Sequence, residues 1–153
     1  MKNSENKVCS LQVTDTTGTH QFPAMQRLSI QKGSAFILVY AVNSEQSLLD
    51  LKPIHDEIVD IKGQNTVPVM LVGNKTDVGD QRQVSTAKGK HMASQWDCGF
   101  VETSAKNNYM VEDIFDNLLK LERHRKFPSN TKSKERSKAA RRADGIKNKC
   151  TLM

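Results

Sequence analysis

Two uninterrupted apolar runs, Ala35-Phe-Ile-Leu-Val-Tyr-Ala-Val42 and Val67-Pro-Val-Met-Leu-Val72, constrain this chain more than anything else in it. Both fall far short of the roughly 20 residues a membrane-spanning helix needs. Neither alternates apolar with polar, so neither suits a sheet with one wet face. They read as strands covered on both faces, the pattern of a parallel sheet. A shorter strand is expected at Gly99-Phe-Val-Glu-Thr103, and an alternating one at Val8 to Thr14 that ends on the turn Asp15-Thr-Thr-Gly18.

Helical stretches lie between these strands. Ser44 can cap a helix whose apolar stripe is Leu48, Leu51, Ile54, Ile58 and Ile61, with Pro53 marking a kink or a late true start. Thr86 to Trp96 is a weaker helix, interrupted by Gly89, and Val111 to Arg125 is a stronger one with Ile114, Phe115, Leu118, Leu119 and Leu121 on one face. Strand and helix in alternation predict an α/β fold with right-handed crossovers, and such sheets present their ligand contacts in loops at the C-terminal ends of the strands.

Charge is divided unevenly. From Lys120 onward there are 12 Lys/Arg against 3 Asp/Glu, leaving 11 against 14 before it. A weakly acidic body at 1–127 is therefore expected to carry a disordered polybasic tail at 128–153. The tail invites a polyanion, but it lacks the interleaved aromatics of a single-strand nucleic-acid binder, which leaves an anionic membrane surface as the expected partner. Cys9, Cys98 and Cys150 form neither an even set nor a CxxC spacing, so disulfide and zinc frameworks are not expected; Cys9 and Cys98 read as small core residues. The N-terminus, Met-Lys-Asn-Ser-Glu-Asn-Lys, is polar with no apolar stretch behind it, so we expect no secretory signal and a start in the cytosol.

Three loop motifs carry chemistry. Asn74-Lys75-Thr76-Asp77 follows a buried strand. A carboxylate there accepts two hydrogen bonds from the N1–H and exocyclic amine of guanine, a pair adenine does not offer, and a carboxylate buried against the wrong base stays unpaired at high cost. The lysine stem can cover one face of the base. Ser104-Ala105-Lys106 follows the next strand, where the Ala105 amide can donate to a base carbonyl with Ser104 supporting the loop. Asp15 and Gly18 end the first strand, where a carboxylate can hold Mg²⁺ through water and a glycine lets a backbone N–H approach a phosphate. Taken singly, each of these is also an ordinary polar turn.

Together, DxxG, NKxD and SAK in this order at strand ends resemble the Ras superfamily of small GTPases, over residues 8 to 127. The stretch Asp15 to Ile30 resembles the Di-Ras branch in particular. That resemblance implies a P-loop NTPase-type parallel sheet with flanking helices, GTP or GDP with Mg²⁺ as ligands, and residues 19 to 30 as a mobile second switch. It also implies what departs from the pattern. No GxxxxGK[ST] occurs, so the family's first strand, phosphate loop, first helix and first switch segment have no counterpart here. Their absence leads us to expect a partial chain, with a natural short form as the alternative. Thr19 stands where the family places a water-orienting glutamine, which implies slow hydrolysis, with His20 and Gln21 as candidate substitutes.

The last four residues, Cys150-Thr-Leu-Met153, fit a CaaX box whose final Met favours farnesyl. One lipid alone binds marginally, and a polybasic tail supplies the second signal. The expectation is a switch held at the cytoplasmic face of the plasma membrane; the competing expectation is a membrane-tethered interaction module that no longer binds nucleotide.

Overall fold

The computed structural model describes residues 11–16 and 23–126, with side chains through 122. Among these residues the sheet has three parallel strands in the order β1-β2-β3: β1 (Phe36–Ala41), β2 (Val69–Asn74) and β3 (Gly99–Glu102). Register runs Phe36 opposite Val69 through Ala41 opposite Asn74, and Met70 opposite Gly99 through Gly73 opposite Glu102. The continuous apolar runs are thus strands, as their pattern predicts, and β2 is buried over Met70 to Gly73. Among the described residues, 11–16 form no strand, and Leu11 and Val13 lie exposed. The expected strand at Val8 to Thr14 is corrected to that extent: residues 11–16 pair with no strand edge among the described residues, and without a partner ladder the alternation makes no strand, while residues 8–10 lie outside the described part.

Among the described residues five helices flank the sheet: α1 (Pro23–Lys32), α2 (Glu45–Leu49), α3 (Leu51–Lys62), α4 (Thr86–Gln95) and α5 (Val111–Lys126). Ser44 caps α2, its hydroxyl accepting from the Ser47 amide at 3.2 Å. The expected single helix is two, broken at Asp50. Pro53 explains the break: lacking an N–H it cannot donate to the Leu49 carbonyl, and it is tolerated in the first turn of α3, where that donor would have no partner in the helix. Ser85 caps α4 in the same way through the Lys88 amide at 3.2 Å. The helix over 23–32 is not foreseen by the sequence reading; only Ile30 of it is buried, and Gln26 meets Glu57 of α3 at 3.2 Å.

The two faces of the sheet have separate cores. Leu38, Tyr40 and Leu71 pack with Leu48, Leu51 and Ile58 from α2 and α3 and Ala93 from α4. On the other face Met70, Val72 and Val101 pack against Ile114, Phe115, Leu118 and Leu121 of α5. Coverage stops short at β1, where Val39 is 51% exposed. Cys98 is half-buried against the first core.

Close packing of α4 depends on Gly89. A Cβ there would sit 2.7 Å from the Phe100 ring and closer still to the Tyr40 hydroxyl. Gly73 opens the other side of the same slot, since its Cβ would lie 2.8 Å from that hydroxyl. The glycine that weakens α4 in sequence is what lets the helix lie on the sheet.

Candidate functional site

The C-terminal ends of β2 and β3 bring two of the three loop motifs together. Asn74 is the last residue of β2. Lys75 then takes the left-handed conformation (φ 68°, ψ 37°), and the chain enters a 3₁₀ turn, Thr76–Gln81, whose second residue is Asp77. Opposite, β3 stops at Glu102 and Thr103 and Ser104 follow, both 2% exposed.

Side chains and backbone then stitch the loops. The Ser104 hydroxyl donates to Asp77 Oδ1 at 2.5 Å. The Ala105 amide donates to Asn74 Oδ1 at 3.0 Å, and the Thr103 hydroxyl reaches the same oxygen at 3.4 Å. Thr76 donates to the Thr103 carbonyl twice, from its amide and from its hydroxyl, each at 3.1 Å. The second loop closes on itself: Ser104 and Tyr109 exchange backbone bonds at 3.1 and 2.9 Å, and the Asn107 amide donates to the Ser104 hydroxyl oxygen at 3.2 Å. The left-handed residues Asn108 and Met110 make that tight return.

Electrostatics favour an ionised Asp77. The Ser104 hydrogen bond is the main influence holding its carboxyl below the usual aspartate range, helped by its own backbone and by the charges of Lys106 and Lys75. Two details bear on these expectations. Asp77 is exposed in this structure, so the desolvation of the carboxylate has to come from a ligand that covers it. The Ala105 amide, expected to face a base carbonyl, is engaged by Asn74 instead. The physical reason is ordinary: an outward N–H beside an acceptor 3.0 Å away uses it.

Of the remaining sequence candidates, Lys106 is exposed on the second loop and Asp15 is exposed among residues 11–16. Gly18, Thr19, Cys9, Cys150 and the whole tail at 128–153 lie outside the described residues. Thr76, Thr103, Asn107 and Tyr109 are participants that sequence reasoning missed. Their contributions come largely from backbone groups and turn geometry, which leave no signal in residue type. A cavity of about 260 Å³ opens elsewhere, between the C-terminal ends of α3 and α4, where His55 stacks on Trp96 with centroids 4.5 Å apart. None of the motif residues lines it.

A parallel sheet with flanking helices and paired loops at the C-terminal ends of β2 and β3 is consistent with an α/β domain of the P-loop GTPase type. Comparison with known proteins takes this further. Residues 1–123 match the Ras family model. Over 150 residues the chain is 55% identical to GTP-binding protein Di-Ras1 of Homo sapiens and 49% identical to GTP-binding protein Di-Ras2 of Mus musculus, spanning 97% of this chain and 75% of each relative. It is 51% identical over 126 residues to GTP-binding protein drn-1 of Caenorhabditis elegans, covering 81% of this chain and 58% of that protein. The chain belongs to the Ras family, and within it is similar to the Di-Ras proteins.

Proposed function

We propose that this chain is a GTP- and GDP-dependent switch that hydrolyses GTP slowly and works at the cytoplasmic face of the plasma membrane. The observation that carries the nucleotide part is the convergence of Asn74, Asp77, Ser104 and Ala105 through bonds of 2.5 to 3.0 Å at the sheet's C-terminal edge. It is supported by relatives that are named GTP-binding proteins.

In this reading Asp77 accepts from the N1–H and amine of guanine. Its second oxygen adds to the one Ser104 already holds. Lys75, turned by its left-handed backbone, lays its stem along the base, and Asn74 keeps the Ala105 loop in register. Lys106 adds positive charge beside Asp77. Asp15 and Gly18 serve the terminal phosphate and its Mg²⁺. Among the described residues no three His, Cys, Asp or Glu side chains converge on a metal-sized site. Asp15 would hold Mg²⁺ through water, with phosphate oxygens and further waters as the remaining ligands, a common arrangement for this ion. Thr19, in place of a glutamine, is too short to orient an attacking water, which is the reason for slow hydrolysis.

Anchoring rests on the sequence. Farnesylation at Cys150 and the basic residues behind it supply the two signals stable attachment to an anionic leaflet requires. Among the described residues no helix is long and apolar enough to cross a membrane. Effectors and regulators are expected to read residues 19 to 30, of which 23–30 belong to α1.

A second reading, a membrane-tethered interaction module without nucleotide, is favoured by one observation: the 153 residues contain no GxxxxGK[ST]. Titrating the chain with labelled GDP separates the two. Micromolar or tighter binding, competed by GTP and not by ATP, supports the switch; absence of binding up to millimolar GDP supports the module.

A further inference from the structure

A polar cluster beneath the two loops is used by nothing described so far. Arg82 follows the 3₁₀ turn that starts beside Asp77, and Glu102 ends β3 two residues before Ser104. The guanidinium meets the carboxylate fork to fork, Nη1 donating to Oε1 at 2.7 Å and Nη2 to Oε2 at 3.3 Å. Nη1 also donates to the Val84 carbonyl at 3.1 Å, and the Thr86 hydroxyl donates to Glu102 Oε2 at 3.0 Å. These side chains are 28% and 17% exposed, against 64% and 53% for the Lys52–Asp56 pair on α3. Two-point geometry and partial shielding separate this pair from the surface ion pairs that contribute little.

Its position matters more than its strength. The Arg82 amide donates to the Gly79 carbonyl at 3.2 Å, so the guanidinium holds the far end of the segment that Asn74 begins. Glu102 lies opposite Gly73 in register, and the Thr103 amide donates to the Gly73 carbonyl at 2.8 Å, so the carboxylate holds the near end of the segment that contains Ser104. We propose that Arg82 and Glu102 are positioning residues that fix the spacing of the Asp77 and Ser104 loops and thereby set how long a guanine nucleotide stays bound, without choosing the base. The proposal rests on the nucleotide reading above. Dissociation requires the loops to part, whereas encounter depends on diffusion and orientation, so loss of the clamp acts on the off-rate.

The test uses the full chain and labelled GDP. Arg82→Gln and Glu102→Gln should each speed dissociation about 10-fold, the consequence of losing one charge-assisted bond. Association and the preference for GDP over ADP should stay unchanged. The double variant should be no faster than either single one, because one interaction is being removed. Lys52→Gln, which breaks the exposed pair on α3, should leave the off-rate alone. Amide exchange at Thr76, Ala105 and Asn107 reads the same coupling without nucleotide, and should quicken in both clamp variants. An off-rate and exchange pattern unmoved in clamp variants that only melt earlier would overturn the clamp while leaving nucleotide binding intact. A wild-type chain that does not bind GDP would overturn the nucleotide reading and the dwell-time role with it, and exchange would then judge the loop coupling alone.

Discussion

At the scale of single residues, the two polar groups with most at stake are Asp77 and Tyr40. Asp77 is held ionised by a hydroxyl and two nearby lysines, as expected of a group whose task is to accept hydrogen bonds. Tyr40 is the opposite case. Its hydroxyl is buried between Gly73 and Gly89 and is the one buried side-chain polar atom among the described residues without a partner. An orphaned hydroxyl costs stability, so Tyr40→Phe should leave the denaturation midpoint unchanged or raise stability by about 1 kcal/mol. A loss of 2 kcal/mol or so in urea unfolding would show that the hydroxyl has a partner after all. Residue type made Asn74, Asp77 and Ser104 legible from sequence alone. It did not reveal Thr76 or Thr103, which work through backbone groups as well as their hydroxyls, nor that Asn74 already occupies the Ala105 amide.

At the scale of elements, buried strands are legible in the sequence and helix breaks are not. Continuous burial wrote β1 and β2 into the sequence as apolar runs, whereas the division of α2 from α3 turns on one missing N–H at Pro53. The helix over 23–32 was hidden because its surface is mostly exposed: Met25 and Leu28 stand in solvent, so no apolar stripe marks it. The alternating residues Leu11 and Val13 misled in the other direction, since a period of two becomes a strand only beside a partner edge. Gly89 shows how element packing constrains sequence. Gly89→Ala gains helix propensity of about 1 kcal/mol but drives a methyl into the Tyr40 hydroxyl and the Phe100 ring. Overpacking should win, giving a net loss of about 1 to 3 kcal/mol by thermal or urea unfolding. A stabilised variant would mean that α4 can lift from the sheet.

For the whole molecule, alkaline conditions should expose what the first core conceals. Burial pushes the Tyr40 phenol up to about 12 and the Cys98 thiol up to about 11. Both groups release protons more readily in the unfolded chain, so the folded state holds extra protons above pH 9 for Cys98 and above pH 10 for Tyr40. Stability should therefore be level up to about pH 9 and fall as pH rises toward 12. The Cys98→Ala and Tyr40→Phe variants should each flatten part of that slope in urea titrations followed across pH. A slope that stays the same in both variants would place the buried protons elsewhere.

The same molecule joins a sheet that needs both faces covered to a pair of loops that need each other, and its proposed role depends on those loops meeting a base. The most direct measurement compares GDP with ADP binding in the wild-type chain and in Asp77→Asn. Replacing a carboxylate by an amide removes one of two acceptors facing guanine and sets a donor against a donor. The guanine preference of the variant should fall at least about 10-fold, with the fold unchanged by circular dichroism. An undiminished preference in Asp77→Asn would contradict the assignment of this edge of the sheet as a guanine site.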